Sequence, residues 1–201
     1  MKSMKIKTWC IDWKAWDTYI IILLAFNLLI WSTPFITMQN EEIGKSIYPF
    51  FSLFCHQITQ RSFCIYESGI CGCYLDSEPM SNLTKEIIVE NEKGVGYKLP
   101  VCARDAPFYL AMLIGGFAVY FYKGKTYDKP PPLWLFILLV LPLAIDGLTQ
   151  MFALRESTNL IRAVTGFIAG FAMPFYIIGL INSWKSKGKR SEVGTKNKGK
   201  K

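Results

Sequence analysis

Four stretches of this chain are each long and apolar enough to cross a lipid bilayer, and this feature limits the possible folds more than any other. A spanning helix needs about 20 predominantly apolar residues, because a rise of ~1.5 Å per residue then matches a hydrocarbon core of ~30 Å. The stretches run from about residue 16 to 36, 107 to 122, 133 to 152 and 164 to 181. Backbone groups in lipid must be hydrogen-bonded within the segment, so each predicts a helix. The fold class expected is therefore an all-α membrane protein with about four transmembrane helices. Residues 1–183 read as a single membrane domain and residues 184–201 as a basic tail. The first apolar run follows Lys2, Lys5, Lys7 and Lys14 without a small-residue cleavage site, and it reads as a retained anchor.

Charge orients the four spans. Of 23 lysines and arginines, four lie within residues 1–17, three between Lys123 and Lys129, and eight from Lys185 onward. With an even number of crossings these three segments share one face, which the positive-inside rule makes cytoplasmic. The expected location is the cell membrane, multi-pass, with both termini in the cytoplasm. The formal net charge of +8 does not point to nucleic acid, because the basic tail has no aromatic residue beyond Trp184 for stacking. Membrane lipids are the expected partners, with a protein partner or a second copy of the chain as further expectations.

Residues 37–106 form the long segment on the opposite, outer face. The apolar part from Ile47 to Phe63 predicts an interfacial or re-entrant helix. Asn82-Leu83-Thr84 matches the short glycosylation acceptor pattern. Five of the six cysteines lie here, Cys55, Cys64, Cys71, Cys73 and Cys102, while Cys10 precedes the first span. Thiols outside the cytosol tend to oxidise, so all five are disulfide candidates, with at most two bridges within one chain. Coordination of a zinc-like metal by Cys55, His56 and Cys102 is an alternative, as is a thiol redox site. No other cofactor is expected.

The polar residues that break the apolar pattern share one depth. Asp146 lies within the third apolar stretch, about 14 residues or ~21 Å from its cytoplasmic start. A carboxylate there is costly unless paired or hydrated, which marks it as a site candidate. The same outer layer would hold His56, Arg61, Arg104, Gln150, Glu156, Asn159 and Arg162. Its candidate catalytic or binding residues are His56, Arg61, Arg104, Asp146, Glu156 and Arg162. Two readings stand: an ion-pair network that locks helices together, or a polar cavity for an ion, an anionic headgroup or a small substrate. Arginines suit phosphate or carboxylate, and His56 suits acid–base work.

Four ordered motifs carry a family resemblance. They are Cys55-His56-Gln57 with Arg61-Ser62-Phe63; Leu99-Pro100-Val101-Cys102-Ala103-Arg104; Asp146-Gly147-Leu148-Thr149-Gln150; and Arg155-Glu156-Ser157-Thr158-Asn159 with Arg162 and Gly166. Over roughly residues 48–180 the chain resembles the small predicted membrane proteins known as domain of unknown function 2085. The resemblance implies a multi-pass membrane protein and no particular activity. Members often follow the Ala-Arg pair with Cys, where Asp105-Ala106-Pro107 stands here.

The functions in view are a small scaffold or complex subunit with an outward-facing polar site, a membrane enzyme acting on a lipid or polyprenyl phosphate, and solute or ion transport by an oligomer. Whether the protein is an enzyme is left open by the motifs.

Overall fold

Each of the four apolar stretches is a helix in the computed structural model, which describes residues 14–74, 84–152 and 155–198, with only the backbone given for 187–198. They are α1 (Ala15–Gln39), α3 (Asp105–Lys123), α4 (Leu133–Met151) and α5 (Asn159–Lys198). Four helices are thus long and apolar enough to cross a membrane, the apolar part of α5 ending near Ser186. The helix α5 begins at Asn159, five residues before the predicted start, which puts Arg162 in its first turn.

The helices alternate in direction. At one end Lys125 pairs with Asp17 at 2.5 Å, and Asn182 Nδ2 donates to the carbonyl of Tyr127 at 2.9 Å. That end gathers the start of α1, the end of α3, the start of α4 and the body of α5. The opposite end gathers Gln39, Asp105, Met151 and Asn159. The helix α3 is the central one, packed against both α1 and α5. Small residues allow the close approach: a Cβ added at Gly166 would sit 2.3 Å from the Arg104 carbonyl oxygen, and one at Gly170 would sit 2.3 Å from that of Phe108. Among described residues of α4, Asp146 alone is buried.

The all-α expectation is incorrect. Between α1 and α3 the chain forms helix α2 (Glu41–Phe51), a short 3-10 turn (Thr59–Arg61) and four strands: β1 (Phe63–Tyr66), β2 (Gly69–Gly72), β3 (Ile88–Asn91) and β4 (Gly94–Lys98). The sheet is wholly antiparallel, in the order β2-β1-β4-β3. Two hairpins build it, with Tyr66 opposite Gly69 in one and Asn91 opposite Gly94 in the other. Each turn closes on a glycine at positive φ, 125° at Gly69 and 99° at Gly94, where other residues would be strained. Strands of four or five residues are too short for a period-two pattern to stand out beside helices of about 20, which is why the segment reads as a polar loop.

The interfacial or re-entrant helix expected over Ile47–Phe63 is instead α2, which starts earlier and stops at Phe51. Asn40 caps it, its side chain accepting from the Ile43 amide at 3.1 Å, and Glu41 and Glu42 occupy the favourable first turn. The sheet is fastened to the bundle by a core of Ile30, Phe51, Leu99, Val101 and Ala106. Burial of each larger apolar side chain contributes roughly 1.5–3 kcal/mol. Within the sheet, Cys64 and Cys73 are joined by a disulfide across nine residues, packed with Tyr66 and Val89. Cys10 and Asn82 lie outside the described residues.

Candidate functional site

The sheet end of the bundle contains a cavity of about 300 Å³, lined by the segment after α2, the 3-10 turn and the neighbouring ends of α3, α4 and α5. Cys55, His56 and Gln57 come from the segment after α2, Arg61 from the 3-10 turn, Cys102, Arg104 and Asp105 from the entry to α3, Gln150 from the end of α4 and Arg162 from the start of α5.

Local chemistry holds the first group in place. Gln57 has a left-handed backbone, φ 57°, an arrangement that costs a non-glycine residue about 1 kcal/mol or more. Three contacts hold it there. Its side-chain amide donates to the carbonyls of Tyr48 at 2.7 Å and Pro100 at 2.9 Å, and its own carbonyl accepts from Lys98 Nζ at 2.8 Å. Tyr48 in turn donates its hydroxyl to the Lys98 carbonyl. Lys98 is only 1% exposed, and burial lowers its ammonium to about 8. This sharp turn leaves His56 exposed at the cavity wall while Cys55 is buried.

The second group forms a chain of hydrogen bonds between helices. Asp146, 3% exposed, accepts from Arg104 Nη2 at 2.5 Å, Gln150 Nε2 at 2.9 Å and Arg155 Nη2 at 3.2 Å. Gln150 turns its amide oxygen to Arg162, which donates from Nε at 3.2 Å and from Nη2 at 3.1 Å. Arg162 also donates to Asn159 Oδ1 at 3.1 Å. Glu156 lies 3.5 Å from Arg61 and 3.7 Å from Arg162, but more than half of its side chain is exposed, so those pairs are worth at most about 1 kcal/mol.

Thus Arg61, Arg104, Asp146, Gln150, Glu156, Asn159 and Arg162 form one network, and His56 lines the cavity beside it. Asp146 is paired with Arg104 and Arg155, while Arg162 reaches it only through Gln150. An ion-pair network and a cavity coexist. The cavity lining itself carries three arginines and one carboxylate, Asp105. Among the described residues, the Nε atoms of Arg61 and Arg104 are buried without a hydrogen-bond partner.

The described cysteines divide into three groups. Cys64 and Cys73 are bonded to each other, Cys71 sits on edge strand β2 opposite Cys64, and Cys55 and Cys102 are free thiols side by side. Cys102 donates to Asp105 Oδ2 at 3.1 Å. The neighbouring Cys102 thiol lowers Cys55, whereas the Cys55 thiol and burial push Cys102 up. Asp105, rather than His56, completes the tight cluster.

Sequence reasoning missed Asp105 and Lys98. Asp105 opens α3 directly after Cys102-Ala103-Arg104, and a three-residue offset from Cys102 across a helix start was the available signal. Lys98 shares a strand face with Gly96, whose place under the Tyr66 ring marks that face as buried.

The pattern of the predicted membrane proteins designated DUF2085 matches residues 94–176, the stretch holding Cys102, Arg104, Asp146, Gln150 and Arg162. An uncharacterised protein of Methanocaldococcus jannaschii is 34% identical over 169 residues, covering 80% of this chain and 90% of the relative. The chain belongs to the DUF2085 family. A second relative, an uncharacterised protein of Methanothermobacter thermautotrophicus, is 38% identical over 80 residues, 39% of this chain and 68% of that protein. The DUF2085 match is narrower than the resemblance over 48–180 and leaves Cys55-His56-Gln57 and Arg61 outside it. No solved structure matches the chain.

Proposed function

We propose that this protein is a small multi-pass membrane protein that binds an anionic group, a phosphate or carboxylate, in the cavity at its sheet end. One observation carries the reading: three guanidinium groups and a single carboxylate line one cavity. Guanidinium forks match the geometry of phosphate and carboxylate oxygens, and each such bond is stronger than a neutral one. Arg104 is held by Asp146 and Arg162 by Gln150 and Asn159, so both are positioned before a ligand arrives. A pre-organised site avoids the side-chain ordering cost of binding. The cavity lies at the end opposite the start of α1 and the loop that holds Lys123, Lys125 and Lys129, and the positive-inside rule supports an opening outside the cytoplasm. An anionic lipid headgroup in the outer leaflet of the cell membrane is the ligand best placed to reach it.

A second reading, enzymatic turnover of the bound lipid phosphate, is supported by His56 on the same cavity wall.

The test is thermal unfolding of the protein in neutral detergent with dodecyl phosphate, inorganic phosphate or dodecyltrimethylammonium added. Dodecyl phosphate raises Tm in wild type and not in R61Q or R162Q; a ligand at 100 times its Kd adds about 2.7 kcal/mol. A shift from inorganic phosphate alone assigns the ligand as a free anion. Equal shifts from the cationic and anionic surfactants, or a shift indifferent to the arginines, overturn the reading.

A further inference from the structure

We propose that Cys55, Cys102 and Asp105 form a binding site for a soft divalent cation of the zinc class, with its fourth coordination position open to the cavity. The argument rests on the cluster itself and does not depend on the anion reading.

The two Sγ atoms and a carboxylate oxygen of Asp105 all lie within 4.8 Å of one another. A tetrahedral zinc ion with bonds of about 2.3 Å to sulfur and ~2.0–2.2 Å to oxygen holds its ligand atoms some 3.5–4 Å apart. The trio is therefore close to the spacing a cation would impose. Backbone hydrogen bonds tie each ligand to a helix end. The Cys55 amide is bonded to the Phe51 carbonyl at the end of α2, at 3.0 Å. Cys102 and Asp105 stand three residues apart across the turn that leads into α3, and the Asp105 and Ala106 amides both bond to the Cys102 carbonyl.

The donor set decides the class of metal. Two thiolates and one carboxylate favour zinc-like ions over magnesium or calcium, which take oxygen ligands. Binding would release the two thiol protons and leave a −1 cluster. Three protein ligands with a free position facing a cavity is the pattern of metal sites that take water or substrate, whereas closed structural sites use four. Cys55, Cys102 and Asp105 all contribute to the cavity lining, so a cation has a way in.

The other cysteines are placed differently. Cys64 and Cys73 are used up in a disulfide, and Cys71 faces Lys93, whose Nζ lies 3.7 Å from its sulfur.

Titration of the reduced full-length protein in detergent with cobalt(II) tests the site. One equivalent per chain should produce a thiolate-to-cobalt charge-transfer band that zinc(II) then abolishes. C71S retains the band, C102S loses it, and D105N raises the cobalt Kd by more than the ~10–100-fold seen for loss of an outer-shell partner. The wild-type titration carries the test even if C102S does not fold. Absence of the band in wild type overturns the proposal. So does a band that survives C55S/C102S, or a Cys55–Cys102 disulfide in peptide maps of unreduced protein. Dodecyl phosphate stabilisation measured on the same preparations reads the arginine cavity separately.

Discussion

Arg104 Nη2 lies 2.5 Å from Asp146 Oδ2, and Asp146 is the only buried residue among those described in α4. Much of α4 presents apolar side chains outward, including Trp134, Ile137, Leu141 and Ile145. One ion pair therefore joins the most peripheral helix to the entry of the most central one. The same pair aims a guanidinium along the cavity wall, so packing and the candidate site share a contact.

Removing the carboxylate should be costly. D146A leaves Arg104 without its main partner and is expected to lower stability by about 3 kcal/mol, as loss of one member of a buried pair does. The double variant R104M/D146L should recover much of that, since it removes the buried charges and leaves only Arg155, whose side chain is more than half exposed to water. Thermal unfolding in detergent reads both. A double variant no more stable than D146A contradicts the assignment.

Gly166 and Gly147 offer a matched comparison beside Arg104. A Cβ at Gly166 would sit 2.3 Å from the Arg104 carbonyl oxygen, whereas at Gly147 the nearest atom is Arg104 Nη1 at 3.6 Å. G166A is expected to cost about 1–3 kcal/mol through overpacking. G147A is expected to be neutral or stabilising by about 0.5–1 kcal/mol, because alanine suits a helix interior better. Equal Tm changes for the two would show that α5 does not press on the start of α3.

Lys98 gives the protein a pH dependence with a defined sign. Its ammonium titrates at about 8 in the fold, against ~10.4 in an unfolded chain. Between those values the unfolded chain holds more protons, so stability rises as pH increases through the window. Below pH 8 the full penalty of the buried charge applies. The increment is roughly 3 kcal/mol. Unfolding of wild type and K98M between pH 7 and 10 should show wild type gaining on the variant; a constant difference would mean that Lys98 is not buried as a charge.

Sidedness can be read from single cysteines. Cys71 is part-exposed on edge strand β2 at the sheet end, and Asp128 lies in the loop at the other end. With the cavity opening outward, an impermeant maleimide applied to intact cells labels Cys71 and spares D128C in a C71S background. The reverse pattern would place the cavity in the cytoplasm.

Much of this arrangement was legible in the sequence, for physical reasons that differ by element. The helices were visible because about 20 apolar residues in a row have few other fates. The layer of Arg104, Asp146, Gln150 and Arg162 was legible because charge bias fixes which span ends lie together, and polar side chains near those ends must then find one another. The sheet was not. Its strands are short, its hairpins end in Gly69 and Gly94, and its neighbours are strongly apolar, so local composition resembled a loop. Lys98 was hidden for a related reason: its burial follows from strand alternation, which is visible only once β4 is known. The pairing of Cys64 with Cys73 depends on hairpin register, with Cys64 opposite Cys71 and Cys73 just beyond the strand. Spacing alone cannot supply that.

The central claim is that Arg61, Arg104 and Arg162 surround an anion, and anomalous scattering tests it most directly. Crystals of wild-type protein grown with selenate, a tetrahedral stand-in for phosphate, should give a selenium peak within about 4 Å of at least two of the three guanidinium groups. A map with selenium elsewhere on the molecule and none in the cavity would contradict the account.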